Sequence, residues 1–536
     1  MGALGSFVWV GEPACHDNRV SEEQTGKADH RSRPTSDVFR EYITTGWAPR
    51  DERLPPPTQA APYAAARRAA LSARFPGERL VVPAGGLKIR SNDTDYDFRP
   101  HSSFAYLTGL GADREPDAVL VMEPLPEEDG GGHEARLYFK PLGPRESEEF
   151  FADSRYGEFW VGARPSLAAL GAELGLSTRH IDELESAVGK DVGLVCVRVV
   201  RDADPQVTGQ VEAVRATVEA PQGQTDAQTA ARCRAETEAD ADAELARYLS
   251  TARMVKDEWE VDQLRSACAA TAEGFAAVVR EFPEAVRRGR GERWVEGVFG
   301  LHARHRGNGV GYSSICAAGD HANTLHWIRN TGELRDGDLV LIDAGVEVEA
   351  LYTADVTRTL PVNGRFSDPQ RRVYDAVYAA QCAGIAACRP GMAFKDVHTA
   401  AITVIAQTLY DWGLLPDGID VEATLDAEHG QWHRRWMVHG TSHHLGLDVH
   451  DCQLALREDY LEGTLAPGMV ITVEPGLYFK ADDLLVPREL RGIGVRIEDD
   501  VLITENGCEL LSAMLPRAAT DVETWMAGLL PAQCHA

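Results

Sequence analysis

The segment 436–451 contains four histidines, in a chain that has seventeen in total. They are His439, His443, His444 and His450. The spacing of four between the first two would place them on one face of a helix, but the glycine, threonine and serine between them are poor helix formers. No glutamate follows His439, as it would in the helix of a zinc metalloprotease. We therefore predict a strand that enters a loop. One such histidine alone could be a core or solvated residue, but four together predict a functional site.

Acidic residues lie at the ends of apolar strands. Burying them there costs free energy unless a cation lies beside them. Asp343 and Glu474 each close an apolar run, and Glu498 lies inside another. A carboxylate buried without a partner costs roughly several kcal/mol. Asp355 alternates with Thr357 along a fourth strand, so both point to one face, and a hairpin from Asp343 would bring the two aspartates side by side. We predict that these acids share a cationic partner.

Four carboxylates and one imidazole form a hard, oxygen-rich set of candidate ligands, namely Asp343, Asp355, His443, Glu474 and Glu498. Such a set suits Mn²⁺ or Co²⁺ better than a structural zinc ion, which prefers thiolates and imidazoles. Four negative charges balance two divalent ions, which bridging carboxylates would hold about 3.5–4 Å apart around a shared hydroxide, as in metal-assisted hydrolysis. Any single acid could instead be a solvated strand end or a salt bridge, such as Glu498 with Arg496. Five such residues in this order favour a metal centre.

Strands and helices must position these residues. Strands are predicted over 338–343, 468–474 and 494–504, each opened by glycine or aspartate at a turn. A helix is predicted over 367–388, because a serine N-cap precedes it and a proline lies just inside it. A long amphipathic helix is predicted across 245–264, where apolar residues recur at mostly helical spacing.

Composition divides the chain into three parts. Residues 1 to about 50 are polar and three prolines follow at 55–57, so residues 1–55 are typical of a poorly ordered extension and linker. Residues 56–250 alternate strands with helices, which predicts an α/β domain, and residues 251–536 carry the candidate site. The segment 206–237, rich in alanine, glutamine and threonine, is predicted to be an insertion, a mobile loop or a surface helix.

The overall charge excludes some partners. The formal net charge is −29, so the field of the protein would repel a nucleic acid. No run is long and apolar enough for a membrane span. The mildly apolar N-terminal segment has no basic region, so a secretory signal is not expected. Ten cysteines are scattered without a C-x-x-C pair, a pattern typical of free thiols in a reducing compartment. We expect a cytoplasmic protein that binds neither nucleic acid nor membrane.

The candidate ligands lie in motifs that resemble those of a known family. The motifs are Leu341-Ile-Asp-Ala-Gly345, Thr357-Arg-Thr359, Val473-Glu-Pro-Gly-Leu-Tyr478 and Arg491-Gly-Ile-Gly-Val-Arg-Ile-Glu-Asp499. They closely resemble aminopeptidase P, the Xaa-Pro aminopeptidase branch of the pita-bread metallopeptidases, densely over about 250–520 and more thinly in the N-terminal domain. The resemblance implies an α/β N-terminal domain and a C-terminal α+β pita-bread (creatinase/aminopeptidase) domain. It also implies a di-metal aminopeptidase that hydrolyses the N-terminal Xaa-Pro bond of peptides through a metal-bridging hydroxide.

The resemblance assigns roles to the ligand residues. Asp343, Asp355 and Glu498 would hold one Mn²⁺. Asp355, His443, Glu474 and Glu498 would hold the other, so that Asp355 and Glu498 bridge the two ions. Glu474 would also pass the proton from the attacking hydroxide to the leaving proline nitrogen.

Further residues are assigned to the substrate by the same resemblance. His326 would lie at the mouth of the site, and His439 would face the proline pocket. His450 would hydrogen-bond the carbonyl oxygen as that oxygen gains negative charge. Tyr478 and Arg496 would line the same cavity. Proline at the second position of a peptide has no N–H, so such an enzyme needs a shaped pocket in place of a hydrogen bond.

Two positions resemble residues that a neighbouring subunit contributes, Trp160 and Asp93, so a homo-oligomer, dimer or tetramer, is expected. The sequence also departs from the family at two places. Asp343 and Asp355 are twelve apart where the family usually has eleven, which predicts one extra residue in a turn or bulge. His444 replaces a large apolar residue, and we assign it a packing role.

Three alternatives remain open. Prolidase, which cuts only Xaa-Pro dipeptides, shares the ligands. A pita-bread binding module without catalysis, or a metal-free hydrolase of the creatinase kind, would lack several carboxylates that are present here. Neither a Gly-x-Ser-x-Gly motif nor a Walker-type phosphate loop occurs, so serine hydrolase and nucleotide chemistry are disfavoured.

Overall fold

A computed structural model gives the fold of residues 36–217 and 238–530. The predictions made for residues 1–35, most of the expected N-terminal extension, lie outside these described residues, as do those for residues 218–237. The chain divides into two compact units. Within the described residues, one comprises residues 36–51 and 142–164, and the other comprises residues 52–141, 165–217 and 238–530.

The first unit is a small helical and aromatic cluster. Its helices are Asp37–Thr44, Glu149–Ala152 and Glu158–Val161. Trp47 packs edge to face against Phe150 and Phe159, with ring centroids 5.6 and 5.7 Å apart. Glu158 forms ion pairs with Arg50 and Arg145. Residues 36–51, part of the predicted extension, therefore contain a helix that is packed on aromatic side chains.

The second unit begins with a mixed five-stranded sheet. Its strand order is Ser177–His180, His133–Phe139, Val119–Pro124, Arg79–Pro83 and Val197–Val199. The two edge pairs are parallel and the two central pairs antiparallel. The helices of this region are Ala61–Arg74, Ser102–Thr108, Leu167–Leu174, Leu184–Gly189, Pro205–Ala216 and Glu238–Ala252, and a short hairpin joins Ile89–Ser91 to Thr94–Asp95. The predicted α/β domain is confirmed, and residues 205–216 of the uncertain segment are helical.

The remainder of the second unit is an α+β arrangement of small antiparallel sheets and long helices. The three-stranded sheets are Val356–Pro361, Leu339–Ala344, Ile315–Ala318 and Val470–Val473, Asp499–Thr504, Gly507–Leu510. The two-stranded sheets pair Gly476–Phe479 with Ile493–Arg496, and Val346–Glu347 with Gly309–Val310. The helices are Glu258–Arg280, Phe282–Arg288, Gly291–Arg306, Asp368–Ala387, Phe394–Asp411, Val421–Leu425, Arg457–Tyr460 and Ala519–Leu529.

The prediction of one long helix across 245–264 is wrong, because the structure has two helices in this region. Glu238–Ala252 ends before a short irregular segment, and Glu258–Arg280 follows it. Asp257 and Glu260 form a capping box at the start of the second helix, in which each side chain accepts the backbone N–H of the other residue. Both orphan donors are thereby satisfied, so the chain starts a new helix here.

The single strand predicted over 494–504 is also two strands. Ile493–Arg496 pairs with Gly476–Phe479, whereas Asp499–Thr504 pairs with Val470–Val473. At the break the N–H of Glu498 donates to the carbonyl of Thr357, at 3.1 Å. The interruption leaves Glu498 between two sheets, where its side chain can turn toward a cavity.

The expectation that all ten cysteines are free thiols is wrong for Cys196, which is disulfide-bonded. Scattered spacing along the chain does not show which cysteines the fold brings together. Six other described cysteines are free thiols, namely Cys268, Cys316, Cys382, Cys388, Cys452 and Cys508. Within 36–217 and 238–530, no helix has the length and apolarity that a membrane span needs.

Candidate metal centre

A cavity of about 460 Å³ lies in the second unit. The five predicted ligands line it, together with His326, His439, His450 and Arg496. Its other lining residues are Tyr312, Ser313, Ile315, Leu325, Ile328, Gly440, Ser442, Val449 and Gln453. The structure thus brings together in one cavity acids and imidazoles that are spread over about 170 residues of sequence.

A hairpin places the two aspartates side by side, as the sequence predicted. Asp343 lies opposite Thr357 in the register of strands Leu339–Ala344 and Val356–Pro361, and Asp355 immediately precedes the second strand. The connection turns at the buried Leu351, whose φ of +73° is left-handed and costly for a branched side chain. A strained turn at this position is consistent with one extra residue in the connection.

His443 lies in an extended segment beside strand Val470–Val473. The N–H of Thr472 donates to the His443 carbonyl at 2.9 Å, and residues 444 and 471 form a β-bridge, so the strand-like prediction is confirmed. The ring Nδ1 of His443 lies 3.1 Å from the carbonyl of the next residue, which leaves Nε2 free to bind a cation. That Nε2 lies 3.2 Å from Oδ2 of Asp355 and 3.8 Å from Oε1 of Glu474.

Glu498 completes a tight cluster. Its Oε2 accepts a 2.6 Å hydrogen bond from the Thr357 hydroxyl. Asp355, His443 and Glu498 each offer one ligand atom, and these atoms lie within 4.8 Å of one another. Arg496 donates to Oδ2 of Asp343 at 2.5 Å, so the cavity contains an Arg496–Asp343 pair in place of the Glu498–Arg496 salt bridge weighed from the sequence.

The four carboxylates have too few cations nearby. Burial raises the pKa of Asp343 and, together with the neighbouring carboxylates, raises that of Glu498 well above its usual range. Burial likewise raises the pKa of Glu474 to about 7, against the opposing charges of His443 and Arg496. Burial also acts to raise the pKa of Asp355, but the hydrogen bond to His443 and its charge, together with the hydrogen bond from Tyr312, outweigh burial and lower that pKa.

The donor set fits divalent cations. Four carboxylates face one arginine and four imidazoles, of which only His443 lies against the carboxylates of Asp355 and Glu474 with a raised pKa, and there is room beside them in the cavity. The hydroxyl of Tyr312 lies 2.7 Å from Oδ1 of Asp343 and 2.5 Å from Oδ1 of Asp355. Its single proton serves one carboxylate at a time, so the other needs a further positive partner. Two divalent ions would supply the missing charge.

His439 and Arg496 line the cavity and are linked by hydrogen bonds through Tyr478, which is buried and, contrary to the prediction, is not among the lining residues. Nε2 of His439 lies 2.7 Å from the Tyr478 hydroxyl, which lies 3.1 Å from Nη1 of Arg496. Burial, followed by the charge of Arg496, lowers the pKa of His439 to about 3, so this imidazole is neutral. His450 lies against the ligand cluster, its ring centroid 4.5 Å from that of His443. His326 is exposed at the cavity edge.

Sequence reasoning missed Tyr312, which touches both aspartates. It follows the two-residue strand Gly309–Val310, and the N–H of Gly311 donates to the Gly345 carbonyl at 3.0 Å, which brings the phenol to the acids. A lone tyrosine 31 residues before Asp343 carries no local signal of this contact, because tertiary packing alone creates it.

The other predicted residues lie elsewhere. Trp160 belongs to the first unit, is half exposed, and donates its indole N–H to the Phe151 carbonyl at 2.8 Å. Asp93 is exposed at the turn of the hairpin Ile89–Ser91 to Thr94–Asp95. Neither lines the cavity of its own chain. His444 is fully buried and stacks on Phe394 at 5.2 Å, as its assigned packing role requires.

Two family models match the chain. That of the metallopeptidase family M24 matches residues 262–505, and that of the aminopeptidase P N-terminal domain matches residues 64–194. The fold and the acid-lined cavity therefore define a metallopeptidase of the pita-bread class. Xaa-Pro aminopeptidase 1 of Streptomyces coelicolor is 50% identical over 494 residues, which cover 92% of this chain and 93% of that protein. The chain belongs to the aminopeptidase P family.

Solved structures agree with this assignment. Pseudomonas aeruginosa aminopeptidase PepP superposes with a TM-score of 0.71 at 29% identity, covering 87% of this chain and 98% of that one. Aminopeptidase P from Escherichia coli with the inhibitor Pro-Leu gives a TM-score of 0.71 at 31% identity, covering 88% and 98%. The predicted fold class, an α/β N-terminal domain with a pita-bread catalytic domain, is confirmed.

Proposed function

We propose that the protein removes the N-terminal residue of peptides whose second residue is proline. The observation that carries this proposal is the convergence of four carboxylates and His443 on one cavity, which is also lined by His439 and Arg496, both hydrogen-bonded to Tyr478. Its relatives named Xaa-Pro aminopeptidase support the same substrate class. The substrates are therefore peptides with proline at the second position.

The same proposal assigns the metal ligands. Asp343, Asp355 and Glu498 would hold one divalent ion, and Asp355, His443, Glu474 and Glu498 would hold the second. The oxygen-rich donor set favours Mn²⁺. When bound, the two ions polarise the scissile carbonyl and activate water for attack.

Residues of the chain position the substrate and move its protons. Glu474 carries the proton from the attacking water to the proline nitrogen as that nitrogen leaves. The position of its carboxylate in the cavity supports this role, with Oε2 3.7 Å from Nδ1 of His439 and Oε1 3.8 Å from Nε2 of His443. His450 donates a hydrogen bond to the carbonyl oxygen as that oxygen becomes negative.

His439 and Arg496, which both hydrogen-bond to the buried Tyr478, form the proline pocket. The three side chains hold one another through hydrogen bonds of 2.7 and 3.1 Å, so the pocket shape is set before substrate arrives. A proline ring is recognised here by shape, since its nitrogen has no hydrogen to donate. His326, at the cavity edge, contacts the part of the substrate peptide that follows the proline.

Substrate length and sequence test the proposal. The wild-type protein with Mn²⁺ should cleave an Xaa-Pro-Xaa tripeptide and leave the matched Xaa-Ala-Xaa tripeptide intact, with release of the first residue followed by chromatography. Cleavage of Xaa-Pro dipeptides without cleavage of the tripeptide would establish a prolidase. Equal cleavage of the proline and alanine tripeptides would refute the pocket assignment.

We also propose a cytoplasmic homo-oligomer, dimer or tetramer, in which Trp160 and Asp93 contact the substrate of a neighbouring subunit. The exposed apolar side chains of Phe159, Trp160 and Val161 support an interface on the first unit. Six of the described cysteines are free thiols, which favours a reducing compartment, although Cys196 is disulfide-bonded. Light scattering should report a mass at least twice the 58.5 kDa of the chain, and Trp160→Ala should lower activity. A monomer with full activity would contradict this part of the proposal.

A further inference from the structure

The segment 319–332 forms the edge of the cavity that carries His326. Leu325, His326 and Ile328 from this segment line the cavity. Apart from a 3₁₀ turn over Gly319–Asn323, the segment has no helix or strand of its own. Hydrogen bonds in a regular element do not hold it, so other contacts must fix the position of His326.

One carboxylate from outside the segment holds it at both ends. Glu292 lies in the first turn of helix Gly291–Arg306 and is fully buried. Its Oε1 accepts hydrogen bonds from the Ala318 N–H at 2.8 Å and from Nδ1 of His321 at 2.7 Å. Its Oε2 accepts one from the indole N–H of Trp327 at 2.8 Å and one from the Gly332 N–H.

Close packing shows that the segment is built around this carboxylate. A Cβ at Gly332 would lie 2.5 Å from Oε1 of Glu292, so only glycine permits the approach. The ring of Trp327 stacks on that of His321 at 3.9 Å, and both rings donate to Glu292. Among the described residues, the ion pairs of Glu292 are limited to His321. Hydrogen bonds from the segment are therefore the main compensation for burying this charge.

We propose that Glu292 is a positioning residue that fixes the segment 319–332 and thereby holds His326 at the cavity. The inference rests on the proposed function, since it assumes that His326 contacts the substrate. Trp327, the neighbour of His326, is tied directly to Glu292, so a shift of the carboxylate moves the imidazole. The carboxylate itself does not line the cavity.

The conservative variant Glu292→Gln tests the inference. A glutamine side chain offers one acceptor oxygen, and its NH₂ group would face two N–H donors, so two of the four hydrogen bonds are lost. We expect kcat/KM for an Xaa-Pro-Xaa peptide to fall by about 10- to 100-fold, the scale of a small misplacement of a substrate-contacting group. The affinity for Mn²⁺ should stay at the wild-type value, because Glu292 touches none of the proposed ligands.

A double-mutant cycle distinguishes positioning from general damage. Combined with His326→Ala, the Glu292→Gln change should lower kcat/KM no further than His326→Ala alone, because both remove the same contact. Amide hydrogen exchange within 319–332 should be faster in Glu292→Gln, with the rest of the unit unchanged. The matched control is Glu281→Gln, since Glu281 also accepts an indole N–H, from Trp294 at 3.0 Å, but contacts no part of the segment.

Two results would overturn the inference. The first is wild-type activity together with wild-type exchange rates in Glu292→Gln. The second is a double variant in which the activity loss of Glu292→Gln adds in full to that of His326→Ala. If Glu292→Gln does not fold, Trp327→Phe removes one donor to the same carboxylate and should show the same non-additivity with His326→Ala. If the wild-type protein cleaves no proline peptide, the proposed function fails, and the exchange rates still report whether Glu292 holds the segment.

Discussion

Replacing Tyr312 with phenylalanine should weaken metal binding without unfolding the protein. The hydroxyl lies 2.7 Å from Asp343 and 2.5 Å from Asp355, so it orients two proposed metal ligands. A hydrogen bond to a charged group contributes about 1.5–3 kcal/mol. Loss of a residue that orients metal ligands costs about 10- to 100-fold in affinity, or about 1.4–2.8 kcal/mol. The two ranges agree, so we expect the Kd for Mn²⁺ to rise by about 10- to 100-fold.

Calorimetric titration of metal-stripped protein with Mn²⁺ measures this change. The control is Tyr352→Phe, because Tyr352 is a more deeply buried tyrosine whose hydroxyl also donates to a carboxylate, Oε1 of Glu260, at 2.7 Å. Glu260 is not a proposed ligand, so this variant should bind Mn²⁺ like the wild type. Wild-type affinity in Tyr312→Phe, or an equal loss in both variants, would refute the reasoning.

Three further predictions follow from the same contacts. Glu474→Ala should fold but lose about 10²- to 10⁴-fold in turnover of an Xaa-Pro-Xaa peptide, because it removes the proton carrier, and unchanged turnover would exclude Glu474 from the mechanism. Arg358→Met should lower the free energy of unfolding by about 3–5 kcal/mol, seen as a lower Tm, because it removes the 2.7 Å ion pair with the fully buried Asp499 and leaves that carboxylate only the more distant Arg517, at 3.8 Å, as a charged partner; an unchanged Tm would show that this pair is not stabilising. Burial lowers the pKa of His433 to about 4 from 6.5, so the unfolded chain takes up this proton first as the solution becomes acidic. The stability that depends on neutral His433 is complete above pH 6.5, is lost as the pH falls through 4, and is already reduced by about 2 kcal/mol at pH 5. His433→Gln should therefore lose less in Tm than the wild type between pH 7 and pH 5, and equal losses would contradict this assignment.

The ligand cluster could be predicted because its signals are local. Asp343 and Glu474 each close an apolar run of sequence. Burying an acid at such a position is energetically costly unless a cation lies beside it. The alternation around Asp355 predicted a hairpin with Asp343 on the opposite strand, and in the structure Asp343 is paired with Thr357, two residues from Asp355. The prediction that the acids converge on one cavity depended on the motifs of a known family, since strand patterns alone do not show which sheets meet.

Contacts made by tertiary structure could not be predicted in this way. Tyr312 and Glu292 carry no pattern of their own, because their partners come from distant parts of the chain. The interruption at Glu498 arises because the strands before and after it pair with different strands, Gly476–Phe479 and Val470–Val473. The helix start at Asp257 did have a sequence signal, an aspartate followed three residues later by a glutamate, which is the pattern of a capping box.

The central claim is that the acids and His443 hold two divalent ions. Anomalous diffraction at the manganese edge, from crystals of protein reconstituted with Mn²⁺, tests it most directly. The proposal predicts two anomalous peaks about 3.5–4 Å apart, with Asp355 and Glu498 contacting both. Two filled positions of this kind would establish the ligand set. Absence of any peak in the cavity, or ions bound only at other places on the chain, would contradict it.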